Sequence, residues 1–164
     1  MSEFLPTAVF RIWAGFALCL LALSAHAVAG YDRDAPMSKT NNGDIEIAYR
    51  VVGDPSAEPI LIIMGLSASH RVWSPELIAG LAAGGYRVVL LDNRDVGESS
   101  RTAKKGRLWL AWQLFKYRVG LRVNSPYSLR DMATDAVAVL DALEIDRAHV
   151  IGASMGGMIG QIIA

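Results

Sequence analysis

Gly152-Ala153-Ser154-Met155-Gly156 has the pattern G-x-S-x-G, which suits a serine held on a tight turn between a strand and a helix. Small residues at both glycine positions let the backbone make that turn without clashing. The flanks agree. Ala148-His149-Val150-Ile151 reads as a short buried strand, and Met158-Ile159-Gly160-Gln161-Ile162-Ile163 as the start of a helix. An activated serine also needs a base, and the base needs an orienting carboxylate. Ten residues follow Ser154 in this 164-residue chain. The competing reading of Ser154 is a serine that merely caps the following helix.

Upstream, Ser38 to Thr40, Asn41-Asn42-Gly43 and Asp44 to Val52 read as a hairpin, with Ile45, Ile47, Tyr49 and Val51 at the period of a half-buried strand. Gly53-Asp54-Pro55-Ser56 is a turn. Pro59 to Met64 is a continuous apolar run, expected of a strand covered on both faces. Ser74-Pro75-Glu76 opens a helix that runs to about Ala83, where Gly84-Gly85 stops it. Tyr86 to Leu91 is a second buried strand. Leu129 to Leu143 is amphipathic, with Met132, Ala136, Val139 or Leu140, and Leu143 on one face. This alternation predicts an α/β fold: a mostly parallel sheet with helices on both faces.

The 16 basic and 16 acidic residues cancel, so no global field favours nucleic acid. The charge is unevenly placed, however. Between residues 101 and 130 there is no acidic residue, yet Arg101, Lys104, Lys105, Arg107, Lys116, Arg118, Arg122 and Arg130 all fall there. Leu108, Trp112, Phe115 and Val119 recur at helical spacing in the same stretch, beside Leu110, Leu114, Tyr117 and Leu121. The favoured reading of segment 101–128 is an excursion helix packed on the sheet edge or pocket mouth, with solvated basic ends. The alternative is a lid, or a surface for anionic lipid. At the N-terminus, Arg11 precedes the apolar run Ile12 to Leu23 and the A-x-A-like Ser24-Ala25-His26-Ala27. Residues 1–27 are therefore expected to be a signal peptide cleaved after Ala27, giving export to the periplasm or medium. The alternative is a membrane anchor, since Ile12 to Tyr31 is a 20-residue uncharged stretch. Cys19 lies inside this segment, so the mature chain would hold no disulfide. Residues 28–36 read as a polar linker and 37–164 as the start of one domain.

Four motifs in this order resemble the α/β-hydrolase superfamily, in particular its esterase-like members: Met64-Gly65-Leu66-Ser67 after the apolar strand; Asp92-Asn93-Arg94-Asp95-Val96-Gly97-Glu98-Ser99, similar to the family's D-x-R-x-x-G-x-S turn; the helix from Tyr127-Ser128-Leu129 to Leu143; and Gly152 to Gly157, its nucleophile elbow. The resemblance covers roughly Met37 to Ala164, the first half or so of the family's domain. It implies a serine hydrolase acting on a carboxylic ester or related small acyl substrate. Ser154 would be the nucleophile, with the backbone N–H groups of Met155 and Leu66 as the oxyanion hole and no cofactor or metal. Met64 stands where the family usually has histidine, a residue that supports the loop rather than the chemistry. Asp92, Arg94, Asp95 and Gly97 are expected to shape a turn, with Arg94 bridging loops through charged hydrogen bonds.

The family's acid and histidine follow the serine in regions this chain does not contain, so neither is assigned. His26 lies in the signal, His149 is expected to point into the sheet layers, and His70 to approach the pocket rim. Asp131, Asp135 and Asp141 lie on the wrong helix to serve. The chain is thus expected to be part of a longer product, inactive or poorly soluble alone, with its nucleophile strand at a sheet edge. The Gly-rich turn does not fit a dinucleotide or P-loop pattern. A cofactor-free peroxidase or C–C hydrolase stays open within the fold. An aspartate-nucleophile dehalogenase or epoxide hydrolase is disfavoured by the serine. The reading from another class is a non-catalytic, membrane-associated binding protein using segment 101–130.

Overall fold

The computed structural model describes residues 31–102 and 107–164. The signal-peptide expectation for residues 1–27 lies outside them. In chain order the described elements are β1 (Ser38–Asn42), β2 (Ile45–Val52), β3 (Glu58–Ile63), α1 (Pro75–Ala83), β4 (Tyr86–Leu91), α2 (Arg107–Arg118), α3 (Leu129–Ala142), β5 (His149–Gly152) and α4 (Met155–Ile163), with a 3-10 turn at His70–Val72. Each strand and helix read from the pattern is present, with ends moved by at most three residues, but β5 is mostly exposed rather than buried.

The strands form one sheet in the order β1-β2-β4-β3-β5. The centre, β4-β3-β5, is parallel, as the alternation with helices requires. The β1–β2 hairpin joins it antiparallel, through β2 on β4. Gly43, at φ 60°, opens the tight turn between Asn42 and Ile45, a conformation that costs glycine little.

The continuous apolar runs are explained by two cores. Side chains alternate across a strand, so Leu61, Ile63, Val89 and Leu91 enter one layer with Ile47. There they meet Met132, Ala136 and Val139 of α3 and Ile159 of α4. Ile60, Ile62, Val88 and Leu90 enter the opposite layer, against Ile78 of α1. Helices therefore cover both faces of the central strands.

Local chemistry sets the helix starts. Ser74 Oγ accepts the Leu77 N–H at 3.1 Å, with Pro75 at the first helical position. Ser128 and Asp131 form a reciprocal capping box at the start of α3. Its bonds from the Ser128 backbone and hydroxyl hold the Asp131 carboxyl below the usual carboxylate range. The described part of the linker, 31–36, is docked rather than free. The buried Arg50 needs an acceptor, and its Nη1 donates to the Asp32 carbonyl at 2.6 Å.

Within segment 101–128 the described helix is α2, where Gln113 is buried and its Oε1 accepts the Asn124 N–H of the same segment at 2.9 Å. Leu108, Trp112, Phe115 and Val119 are on the outward side and exposed. Trp112 stacks on Phe115 at 5.5 Å between ring centroids, and Lys116 lies over Trp112.

Candidate active site

The four-residue strand β5 delivers Ser154 to the turn, and α4 begins immediately after it. Ser154 sits at φ 53°, ψ −118°, a strained backbone for a residue with a side chain. Glycines make the turn possible by letting backbone meet backbone. A Cβ on Gly152 would lie 2.4 Å from the Gly156 carbonyl and the Gly157 nitrogen, and one on Gly156 would lie 2.1 Å from the Ile63 carbonyl oxygen. The turn is bonded to the end of β3 as well, where Ile63 O accepts the Ala153 N–H at 3.0 Å.

The Ser154 hydroxyl makes no capping bond to α4, which excludes the reading of a simple cap. The side chain is exposed at the mouth of the turn. Met155 follows as the first residue of α4, where a backbone N–H has no intrahelical acceptor. Gly65, after β3, brings the neighbouring loop against the serine. A methyl carbon there would stand 3.2 Å from Ser154 Cβ and 3.6 Å from its Oγ. Leu66, next in that loop, turns its side chain to solvent, and Ser67 takes φ 57°. The structure thus brings together Ser154, Met155 and the loop of Leu66.

Among the described residues, both histidines are engaged elsewhere. His70 is not at a rim. It is 1% exposed, with its backbone N–H and ring Nδ1 both on Asp92 Oδ1, at 2.7 and 2.9 Å. A buried carboxylate requires such donors, and this one claims the imidazole. His149 does not point into the layers either. At the outer edge of β5 its ring is largely exposed, with Nε2 2.9 Å from Glu58 Oε1 and an edge-to-face contact with Tyr86.

The turn after β4 is built as the motif implied. Asp92 Oδ2 accepts the Glu98 N–H at 3.0 Å, and a Cβ on Gly97 would fall 1.9 Å from that oxygen. Arg94 bridges by a two-pronged ion pair to Asp135 of α3, Nε to Oδ2 at 2.6 Å and Nη2 to Oδ1 at 2.7 Å. Its guanidinium lies 5.2 Å from the Tyr127 ring centroid. Burial first, and then the Asp95 carboxylate, push the Tyr127 hydroxyl up to about 12. Pattern reading missed Asp135 as the partner of Arg94. The signal was a carboxylate among Met132, Ala136 and Val139 on the apolar side of α3, a place that demands a cation.

Burial alone would raise the Asp92 carboxyl, but the His70 ring, the His70 and Glu98 N–H groups and the His70 charge together hold it below the usual range. A carboxyl lowered on folding contributes stability above its unfolded value of about 3.9 and loses it as pH falls through the folded value. Urea midpoints measured from pH 6 to pH 2.5 are therefore expected to fall less steeply below about pH 4 in Asp92→Asn than in the parent.

A profile of the alpha/beta hydrolase fold matches residues 58–164. The chain belongs to the α/β hydrolase fold family. Rhodomycin D methylesterase DauP of Streptomyces sp. (strain C5) is 41% identical over 129 residues, which are 79% of this chain and 37% of that protein. Among solved structures, a hydrolase from Pseudomonas aeruginosa PA01 superposes with TM-score 0.60 at 25% identity, over 79% of this chain and 40% of the other. The enol-lactonase from Burkholderia xenovorans LB400 superposes with TM-score 0.57 at 27% identity, over 75% and 39%. The chain therefore spans less than half the length of these relatives, and its described sheet corresponds to the N-terminal portion of the α/β hydrolase fold.

Proposed function

We propose that the protein is an exported serine hydrolase that cleaves a carboxylic ester or related small acyl substrate. The observation that carries this is the uncapped, exposed Ser154 at φ 53°, beside Gly65 and at the start of α4. Ser154 Oγ attacks the acyl carbonyl, and the N–H groups of Met155 and Leu66 receive the charge that develops on its oxygen. A base takes the serine proton and a carboxylate orients it; among the described residues His70 faces Asp92 and His149 faces Glu58, and neither is given that role. Relatives named as a methylesterase and an enol-lactonase support an ester-like substrate. The apolar run Ile12 to Leu23 before Ser24-Ala25-His26-Ala27 supports export.

A fluorophosphonate probe tests this reading on the full-length protein. Labelling at Ser154 is expected, and its absence in a folded protein with no ester turnover overturns the proposal. Residues 1–164 alone are expected to turn over no p-nitrophenyl ester.

A second feature adds a partner. The outward Trp112 and Phe115 of α2, with Lys116, Arg118 and Arg122 and no acidic residue from 101 to 130, suit an anionic membrane surface. Each basic residue near such a surface contributes about 1 kcal/mol, screened by salt. The full-length protein is expected to sediment with phosphatidylglycerol vesicles and not with phosphatidylcholine vesicles. Binding should weaken as salt rises and be lost in a Trp112→Ser/Phe115→Ser variant. Equal behaviour towards both lipids, or no change in the variant, removes the membrane from the proposal.

A further inference from the structure

We propose that Asn93 is a positioning residue for the oxyanion hole, and that Asp92 and Asn93 together clamp the loop that carries Leu66. The inference rests on the serine-hydrolase reading above. The two residues follow one another just past the end of β4, and each side chain takes one end of the loop from Met64 to His70. At the near end, Asn93 Nδ2 donates to the Met64 carbonyl at 2.9 Å, across 29 residues of sequence. At the far end, Asp92 Oδ1 accepts both the backbone N–H and the ring Nδ1 of His70. Asp92 and Asn93 are buried, at 0% and 2% exposure.

Between these anchors the loop has little holding of its own. Its internal turn is a long contact, Ala68 N–H to Gly65 O at 3.4 Å, and Leu66 is 74% exposed. Yet the Leu66 N–H must point to a fixed place, because an oxyanion donor acts only where charge develops. The Met64 carbonyl fixes the plane of the peptide that leads into Gly65, and Gly65 lies against Ser154. With Asn93 bonded to that carbonyl, one of the two peptides flanking Gly65 is held, which narrows the positions open to the Leu66 N–H. The helix α1 side of the loop is fixed separately by His70, whose Nε2 lies 3.4 Å from the Arg33 carbonyl.

The clamp is invisible to substrate, so its loss should appear in kcat. In the full-length protein, Asn93→Leu keeps the number and branching of side-chain heavy atoms and removes the donor. It is expected to lower kcat for a p-nitrophenyl ester about 10- to 100-fold with KM within about twofold, a smaller loss than deleting an oxyanion donor outright. Asn93→Asp gives a second, independent readout. Its carboxylate repels the Met64 carbonyl, whereas the protonated acid donates to it. The ratio of Asn93→Asp to parent kcat should therefore rise as pH falls, a change that lost packing does not produce.

Three results overturn the inference: kcat unchanged in Asn93→Leu, a flat ratio for Asn93→Asp, or failure of both variants to fold. That last result assigns the side chain to the core alone. Where the Leu variant alone fails to fold, the pH ratio of the Asp variant decides. Failure of the underlying reading looks different, since the parent itself would then leave Ser154 unlabelled and show no turnover to lose.

Discussion

Ester turnover by the full-length protein is expected to fall at least about 10⁴-fold when Ser154 becomes alanine, with residual activity from binding and oxyanion stabilisation alone. Stability should hardly change. The hydroxyl makes no bond to α4, so its removal stays within about 0.5 kcal/mol, as for substitutions away from packed features. Ser154→Gly separates chemistry from strain. At φ 53°, ψ −118° the serine backbone stores about 1–3 kcal/mol, which glycine releases. The added freedom of the unfolded chain costs about 0.4–1 kcal/mol. The glycine variant should therefore melt at or above the parent while being equally inactive. Steady-state kinetics and a thermal melt on the three proteins check both halves. Turnover retained in Ser154→Ala would remove the serine from the mechanism.

The second large effect is at Gly156. Helix propensity alone favours alanine over glycine by about 1 kcal/mol, and Gly156 is inside α4. Sterics oppose this. The added Cβ would lie 2.1 Å from Ile63 O, 2.7 Å from Ile63 C and 2.9 Å from Met64 O, all backbone atoms. That carbonyl of Ile63 already holds the Ala153 N–H, so neither side yields without opening the serine turn. Gly156→Ala should cost more than about 4 kcal/mol, in the range reserved for broken cores. Gly157→Ala is the control. Its Cβ would come no closer than 3.3 Å, to Gly152 O, and the variant should lie within about 1 kcal/mol of the parent. Urea midpoints of the full-length proteins measure both. Equal midpoints would mean that the turn is not docked on β3 as described.

What pattern reading recovers here depends on whether the cause is local. The runs Ile60 to Ile63 and Val88 to Leu91 identify central strands because both faces must be apolar. The Ser74 start follows from capping chemistry within four residues. The serine turn is legible because its glycines are demanded by its own geometry. The partners were not legible. Asp135 meets Arg94 across 41 residues, and Asn93 meets the Met64 carbonyl across 29. Nothing in the local spacing announces either. His70 looked like a rim residue because a histidine in a loop is ordinarily wet. Only the fold puts the buried Asp92 carboxylate beside it.

The loop from Met64 to His70 is held at its two ends and little in between. Its length is consequently fixed, because an added or deleted residue would pull one anchor from Asp92 or Asn93. Its middle letters are not. The Leu66 side chain touches little, while the N–H beneath it stays where the backbone puts it. Position 66 is thus a place where lineages, or an engineer, can exchange one side chain for another and reshape what the serine meets, leaving the fixed donor undisturbed.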